Sequence, residues 1–316
     1  MNTRPRYVIG VDVGGTFTDV FFLDESNGRC SVAKILSTKP DQSVGFLAGI
    51  RAGVTDLAEI ATVVHGTTIG TNALLERKGA KSGIITTAGF RDTLEMRRRD
   101  RPQTWGLWGQ YEPVVQRDRR LEVCERTLAD GTVHAHVDPE DVKAQAQALL
   151  GMGCESVAVV FINAYANPAN ELTALAAVRE VWPNDHIVAS YEILPEIREF
   201  ERTSTTVLNA YLQPTVGSYL HRLETALKDD GFGGDVLIVQ SNGGVMSLDT
   251  ARKRPIRTAL SGPAAGVIAS IHIAQEAGFP NVITCDMGGT SFDVSLVAQG
   301  QSVLAAQTTV DFGLVV

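Results

Sequence analysis

Short apolar runs alternate along this chain with segments typical of helices. Several runs, such as Val157–Phe161 and Val236–Val239, carry no polar residue, which is typical of strands buried on both faces of a sheet. Strands are predicted over Tyr7–Asp12, Thr18–Leu23, Ser31–Leu36, Thr62–His65, Ser82–Thr87, Ser156–Ala164, His186–Ser190, Asp235–Gln240, Val282–Asp286, Asp293–Ala298 and Ser302–Ala306. Strands that alternate with helices predict an α/β fold.

Helix starts are marked by a capping side chain followed by a proline. Asp138 precedes Pro139 and Asn167 precedes Pro168, and proline is favoured in the first turn of a helix. A longer helix is predicted over Glu199–Lys228.

One nine-residue phrase occurs twice in the chain. Asp12–Val20 reads DVGGTFTDV, and Asp286–Val294, 274 positions later, reads DMGGTSFDV, with six identical positions. Each copy lies between two apolar runs, so each predicts a strand, a tight turn and a returning strand. A single such turn is more often structural than functional, but a repeat usually reports architecture.

Both copies have the chemistry of a phosphate site. A turn with two glycines lets backbone amides approach an anion closely, and a threonine adds a hydroxyl donor. The candidate phosphate-binding residues are Gly14, Gly15, Thr16, Gly288, Gly289 and Thr290. Asp12 and Asp286 precede the turns, where a carboxylate is suited to holding Mg²⁺ that bridges to phosphate oxygens.

Further loops rich in glycine and hydroxyl side chains follow strands or open helices. His65–Asn72 reads HGTTIGTN, and Thr67 or Thr68 could cap the helix that follows. Capping explains only one threonine, so a loop that faces a ligand is favoured. His65 could act as an acid or base, although a lone histidine at a strand end is more often structural. Ser261 and Gly262 open another predicted helix. Ser241–Gly244 follows a strand. Because it lies in the same half of the chain as Asp286, a ligand loop is favoured over a plain turn.

The segment from Met96 to Asp138 departs from the alternation and is predicted as a partly β insertion. It is rich in arginine, including Arg98 and Arg101, with Trp105 and Trp108 between them. Three interpretations are equally open: a partner interface, a substrate lid and a solvated surface.

Composition excludes several functional classes. The net charge of −8 gives no support for binding to nucleic acid or to an acidic membrane. Four dispersed cysteines indicate a reducing compartment and no structural zinc. No signal peptide or membrane span is predicted, so the expected location is the cytoplasm. The motifs of P-loop, dinucleotide-binding and serine-hydrolase proteins are missing from the sequence.

Taken together, the motifs resemble those of a known protein superfamily. The two hairpins are similar to the phosphate loops of the actin, heat-shock and sugar-kinase ATPase superfamily. Six blocks narrow the resemblance to the hydantoinase/oxoprolinase family, hydantoinase A type, and they are Ile9–Phe22, Val64–Gly79, Gly83–Arg98, Ser241–Ser247, Leu260–Val267 and Asp286–Val297.

The resemblance implies a two-lobe, actin-like (ribonuclease H-like) α/β ATPase fold. Residues 1–196 would form the first lobe, with the insertion at 96–137, and residues 197–316 the start of a second lobe. We expect this second lobe to be incomplete, with the purine-binding residues beyond Val316.

The resemblance also implies an enzyme subunit that uses ATP and Mg²⁺. It would phosphorylate a carbonyl or amide oxygen to drive hydrolysis of a cyclic amide (a hydantoin, 5-oxoproline or a lactam), together with a hydantoinase B-type partner in a hetero-oligomer. Asp12, Asp286 and Thr68 are the catalytic candidates, and His65, Thr67, Arg98 and Arg101 are candidates for the substrate side. One alternative is a subunit of an acetone- or acetophenone-type carboxylase. Another is a nucleotide-gated interaction module.

Overall fold

The computed structural model describes residues 6–38, 41–99, 111–287 and 292–302, and the backbone of 309–310 and 314–315. Its strands are β1 (Tyr7–Val13), β2 (Phe17–Asp24), β3 (Arg29–Leu36), β4 (Ile60–Thr67), β5 (Ser82–Thr87), β6 (Arg120–Val123), β7 (Arg126–Thr127), β8 (Val133–Ala135), β9 (Ser156–Val160), β10 (Ile187–Ala189), β11 (Asp235–Val239), β12 (Val245–Ser247), β13 (Val282–Met287), β14 (Phe292–Ala298), β15 (Gln301–Ser302), β16 (Thr309–Val310) and β17 (Leu314–Val315).

Its α-helices are α1 (Gln42–Arg51), α2 (Ile69–Leu75), α3 (Thr93–Met96), α4 (Pro139–Gly151), α5 (Ala169–Val181), α6 (Ser190–Ile193), α7 (Glu199–Asp229), α8 (Leu248–Lys253) and α9 (Ser261–Glu276). Short 3₁₀ helices cover Leu57–Glu59, Arg117–Arg119 and Pro255–Thr258.

The chain divides into two compact units. One comprises residues 1–72 and 216–305, and the other comprises residues 73–215 and 306–316. The division into lobes at residues 196 and 197 stays a prediction.

The first unit is built on a six-stranded sheet with the strand order β12-β11-β4-β1-β2-β3. β1, β4 and β11 are parallel, whereas β2 and β3 extend the sheet by antiparallel pairing. Alternate residues of β1 and β2 are buried, and α1 packs on this face. Gly49 permits the close packing, because a Cβ there would lie 2.7 Å from Val20 Cγ2. The strands predicted over Tyr7–Asp12, Thr18–Leu23 and Ser31–Leu36 are confirmed.

The repeat produces a second hairpin of the same register. β13 and β14 pair so that Asp286 faces Asp293, as Asp12 faces Asp19 on β1 and β2. β15 adds a third strand over Gln301–Ser302. It overlaps the predicted strand Ser302–Ala306 at Ser302, and residues 303–306 lie outside the described ranges. The two hairpins differ in burial, because one face of β13 and β14 is exposed and apolar (Ile283, Met287, Phe292, Val294 and Leu296).

The second unit contains an all-parallel sheet with the order β10-β9-β5-β6. Every residue of β5, β9 and β10 is buried, which agrees with the continuous apolar run Val157–Val160 in β9. α4 starts as predicted, with Asp138 Oδ1 accepting from Glu140 N at 3.0 Å. At the start of α5, Asn167 Oδ1 accepts from Ala169 N at 3.0 Å.

The structure corrects the predictions for β9 and for the loop Ser241–Gly244. β9 ends at Val160 and not at Ala164, because Phe161 N donates to the buried Glu171 carboxylate at 2.8 Å and leaves the ladder. Ser241–Gly244 connects β11 to β12, closed by Gly243 N donating to Gln240 O at 2.9 Å.

The predicted insertion is partly β in its described part, where it contains β6, β7 and β8. The four cysteines are free thiols. Among the helices of the described ranges, none is both long and apolar enough to cross a membrane.

Candidate functional site

The turn of the first hairpin is held by bonds to its own backbone. Gly14 N donates to Phe17 O at 3.0 Å, and a Cβ on Gly14 would lie 3.1 Å from that oxygen. Ser37, which directly follows β3, donates from Oγ to Gly14 O at 2.8 Å, and its N–H donates to Thr16 O at 2.9 Å. Sequence reasoning missed Ser37, because a single serine after a strand carries no distinguishing pattern. Thr16 and Gly15 are exposed at the tip of this turn.

Two glycine backbones border the carboxylate of Asp12. Asp12 pairs with Gly66 across β1 and β4, and a Cβ on Gly66 would lie 3.3 Å from Asp12 Oδ1. A Cβ on Gly262, in the first turn of α9, would lie 3.8 Å from the same oxygen. Three separate segments of the chain therefore converge on this carboxylate, and two of them leave space beside it by lacking a side chain.

Hydroxyl side chains tie these segments together. Ser261 Oγ donates to Thr67 O at 3.1 Å, and Leu260 N donates to Thr71 Oγ1 at 2.9 Å. Thr68 Oγ1 donates to Val13 O at 3.2 Å, which links the start of α2 to the end of β1. The density of threonine in HGTTIGTN thus has a structural explanation, since these hydroxyls fix the starts of two helices beside Asp12.

The electrostatics around Asp12 favour a cation. Asp12 remains accessible to solvent, yet enough protein surrounds its carboxylate that desolvation raises its pKa. The negative charges of Asp19 and then Asp286 raise this pKa further, while the positive charge of Lys34 lowers it. Lys34 Nζ lies 2.8 Å from Asp19 Oδ1. The negative charges of Asp19 and Asp286 disfavour ionisation of Asp12, and a bound cation would compensate them.

His65 is placed as a structural residue. It is fully buried, its Nδ1 lies 3.2 Å from Val11 O, and its Nε2 lies 2.8 Å from the hydroxyl of Tyr219. Burial lowers the pKa of His65 to about 4. Both ring nitrogens are therefore occupied, and the geometry gives no support to the prediction that His65 contacts a substrate. Thr67 is also fully buried, with Oγ1 accepting from Ile69 N at 3.3 Å.

The remaining candidates divide between described and undescribed parts of the chain. Asp286 is exposed near the end of β13, whereas Gly288, Gly289 and Thr290 lie outside the described residues, as does Arg101. Arg98 lies in the second unit and forms an ion pair with Glu201. Gly66, Ser37 and Tyr219 are the contributors that sequence reasoning did not find.

Comparison with known proteins gives a family for nearly the whole chain. Residues 8–182 match the family model described as the hydantoinase/oxoprolinase N-terminal region, and residues 202–315 match the hydantoinase/oxoprolinase model. The caprolactamase subunit alpha of Pseudomonas jessenii is 34% identical over 95% of this chain and 44% of its own length.

Two solved structures share the fold. The nucleotide-free structure of acetone carboxylase, from a study of ATP-dependent acetone carboxylation, matches with a TM-score of 0.86 and 29% identity over 99% of this chain and 46% of that chain. The crystal structure of the ATP-dependent caprolactamase from Pseudomonas jessenii matches with a TM-score of 0.79 and 34% identity over 92% of this chain and 43% of that chain. These matches confirm the predicted α/β, actin-like ATPase fold class. The chain spans less than half the length of these relatives.

Proposed function

The chain belongs to the hydantoinase/oxoprolinase family. From this premise we propose that it is the region of an ATP-dependent enzyme subunit that binds the phosphates of ATP. The enzyme phosphorylates a carbonyl or amide oxygen and so drives the hydrolysis of a cyclic amide. The observation that carries the proposal is the convergence of Gly66 and Gly262 on the carboxylate of Asp12. The phosphates of a nucleotide bind where backbone can approach them closely, and their metal ion binds where a carboxylate is available as a ligand.

ATP would be held through its phosphates by the two hairpins. Gly14–Thr16 would bind from the first hairpin and residues 288–290 from the second, with Ser261 and Gly262 at the border of the site. The common register of the hairpins, in which Asp12 and Asp286 occupy equivalent positions, supports this assignment.

The residues present fit Mg²⁺. In the described part of the chain, no group of three or more histidine, cysteine and carboxylate side chains could hold a metal by itself. Mg²⁺ bound with ATP needs no such group, because one or two carboxylates, phosphate oxygens and water complete its coordination. Asp12 and Asp286 would hold the ion, which when bound would neutralise charge on the phosphates.

In this reaction the residues of the protein act mainly by positioning the phosphates and the substrate. Asp12 and Asp286 would fix the orientation of the phosphates, and the turn amides would stabilise the charge that develops on the transferred group. Thr68 has its Cγ2 within 4.0 Å of the Cβ position on Gly262 and its hydroxyl on Val13 O. We propose that it orients the acceptor oxygen of the substrate. Substrate contacts by His65, Thr67 and Arg98 stay predictions.

The test is substrate-coupled ATP turnover by the complete enzyme carrying Asp12→Ala or Asp286→Ala. Turnover should fall about a hundredfold or more in each variant, as when one preorganised charge-stabilising group is lost. Asp235→Ala is the matched control, since Asp235 is exposed at the opposite end of the same sheet, on β11. Undiminished turnover in both variants would overturn the assignment.

A larger assembly is part of the proposal. The relative from Pseudomonas jessenii is described as subunit alpha, and we propose a hetero-oligomer with a hydantoinase B-type partner. The molar mass of the complex purified from its own source tests this, and a homo-oligomer of full activity would refute it. The dispersed free cysteines support the cytoplasm as the compartment.

A ketone carboxylase subunit is the second candidate. The match to acetone carboxylase over 99% of the chain supports it. Dependence of ATP turnover on bicarbonate separates the two candidates. Turnover stimulated by lactams, imides or hydantoins without bicarbonate favours the hydrolase, and turnover that needs both a ketone and bicarbonate favours the carboxylase.

A further inference from the structure

The second unit contains an open groove of 650 Å³. We call it the arginine groove. Its lining residues are Gly89, Phe90, Asp92, Thr93, Met96, Arg97, Arg98, Arg198, Glu199, Phe200 and Glu201.

The arginine groove lies where α/β proteins bind ligands. Gly89 and Phe90 follow the end of β5 at Thr87 after one intervening residue, and Glu199 begins α7, the 31-residue helix. β5 belongs to the all-parallel sheet of this unit. The crevice beyond the carboxyl ends of parallel strands is the usual ligand position in such sheets.

The three carboxylates that line the groove already have cationic partners. Asp92 accepts two bonds from Arg117, at 2.7 and 3.0 Å. Glu201 pairs with Arg98, and Glu199 pairs with the buried Arg202. These acids are therefore neutralised by arginines, two of which, Arg117 and Arg202, stand outside the lining.

Arg198 also lines the groove and takes part in none of these pairs. Within the described ranges its side chain makes no hydrogen bond or ion pair, and it is exposed. Its φ of 91° lies in the left-handed region, which is costly for a residue with a side chain and persists where surrounding structure imposes it. Arg97, also in the lining, has a φ of 49°. Arg97 and Arg198, both residues of the groove lining, therefore share a backbone conformation that is unusual for a residue with a side chain.

Met96, Phe90 and Phe200 form the apolar part of the lining. Met96 is 57% exposed and Phe90 is half-buried, while Phe200 is buried under the guanidinium of Arg97, 4.8 Å from its ring centre. An exposed methionine beside aromatic rings gives an adaptable surface for a nonpolar group.

We propose that the arginine groove binds a small carboxylic acid with an apolar body. The carboxylate pairs with Arg198, and the apolar body covers Met96 and Phe90. A phosphate dianion fits less well, because the single positive charge of Arg198 compensates only one of its two negative charges. This site is independent of the nucleotide chemistry proposed above, since its residues all belong to the second unit.

The test uses hexanoate as the probe and the methyl groups of the five methionines as reporters. In methyl-labelled protein without ATP, titration with hexanoate should shift the Met96 resonance with saturation, while the Met152 and Met246 resonances stay in place. Hexanamide, which has the same body without charge, and hexyl phosphate should both bind more weakly.

Two variants test whether Arg198 supplies the positive charge that binds hexanoate. Arg198→Gln should weaken hexanoate about tenfold or more, the expected loss of a charge-assisted bond. Arg179→Gln, which removes an exposed arginine of α5 in the same unit, should leave the affinity unchanged. The proposal is wrong if Met96 does not shift, if hexanamide or hexyl phosphate binds as tightly as hexanoate, or if Arg198→Gln binds normally. None of these outcomes depends on ATP turnover, so the failure of one proposal leaves the other standing.

Discussion

The bond between His65 and Tyr219 offers a direct test of how the first unit supports its site. Val11 O can only accept, so His65 Nδ1 carries the proton and donates to it. Nε2 is therefore the acceptor for the hydroxyl of Tyr219 at 2.8 Å. Both side chains are buried, at 0% and 1% exposure, and burial raises the pKa of Tyr219, which keeps it a neutral donor. Tyr219→Phe removes this donor and almost no volume.

The expected loss follows from the orphaned acceptor. A buried polar atom left without its partner costs about 1–3 kcal/mol, and we expect Tyr219→Phe to lower the free energy of unfolding by this amount. The double variant His65→Leu, Tyr219→Phe removes both partners. Its loss should be smaller than the sum of the single losses by about 1 kcal/mol, because apolar replacement of both partners leaves no orphaned pair.

The assay is urea unfolding followed by circular dichroism at pH 8, where the histidine is neutral in both states. Tyr191→Phe is the control, since the Tyr191 hydroxyl donates to Glu192 from a half-buried position, and its loss should be within about 0.5 kcal/mol. Additive losses in the double variant, or an unchanged stability of Tyr219→Phe, would refute the argued bond.

Three further predictions rest on the same geometry. The pKa of His65 is about 4 in the folded protein against 6.5 when exposed. The unfolded chain therefore binds more protons between these values, so stability should fall by about 3 kcal/mol as pH drops from 6.5 to 4, a loss that His65→Leu should remove from pH-dependent urea titrations. Burial raises the pKa of Glu171 to about 7, so its carboxyl ¹³C resonance should titrate near pH 7 and stability should decline as pH rises from 4.5 to 7; a midpoint near 4.5 would contradict this. Gly66→Ala places a methyl group 3.3 Å from Asp12 Oδ1, and it should lower ATP turnover of the complete enzyme at least tenfold while changing the unfolding free energy by only about 1 kcal/mol; turnover equal to that of the parent would refute crowding at Asp12.

The sequence was a reliable guide to local structure where periodicity and turn chemistry act within a few residues. The apolar run that starts at Tyr7 and the two glycines after it specify a hairpin, and the same order of residues from Val282 specifies a second one. The start of α4 after Asp138 follows the same local logic. The end of β9 did not, because the bond from Phe161 N to Glu171 depends on a side chain ten residues away in the chain.

The candidate site divides in the same way. Asp12, Gly14 and Thr16 could be found in the sequence because they form one motif. Gly66 could not, since its meaning arises only when β4 pairs with β1 and brings its backbone against the Asp12 carboxylate. The role of His65 could not be read from the sequence either. Whether a histidine at a strand end is accessible to a ligand or buried depends on which distant side chains pack on it.

The sequence by itself therefore determined the α/β class, the two hairpins and their aspartates, and the family, because these features are written in contiguous residues and in their order. Only the tertiary structure decided that His65 is buried and bonded to Tyr219, and that the backbones of two glycines border Asp12. It also decided that Arg198, in a groove lined by paired acids, has no ion pair among the described residues. The physical reason is that burial, pKa and charge pairing depend on neighbours in space, and those neighbours come from segments far apart in the chain.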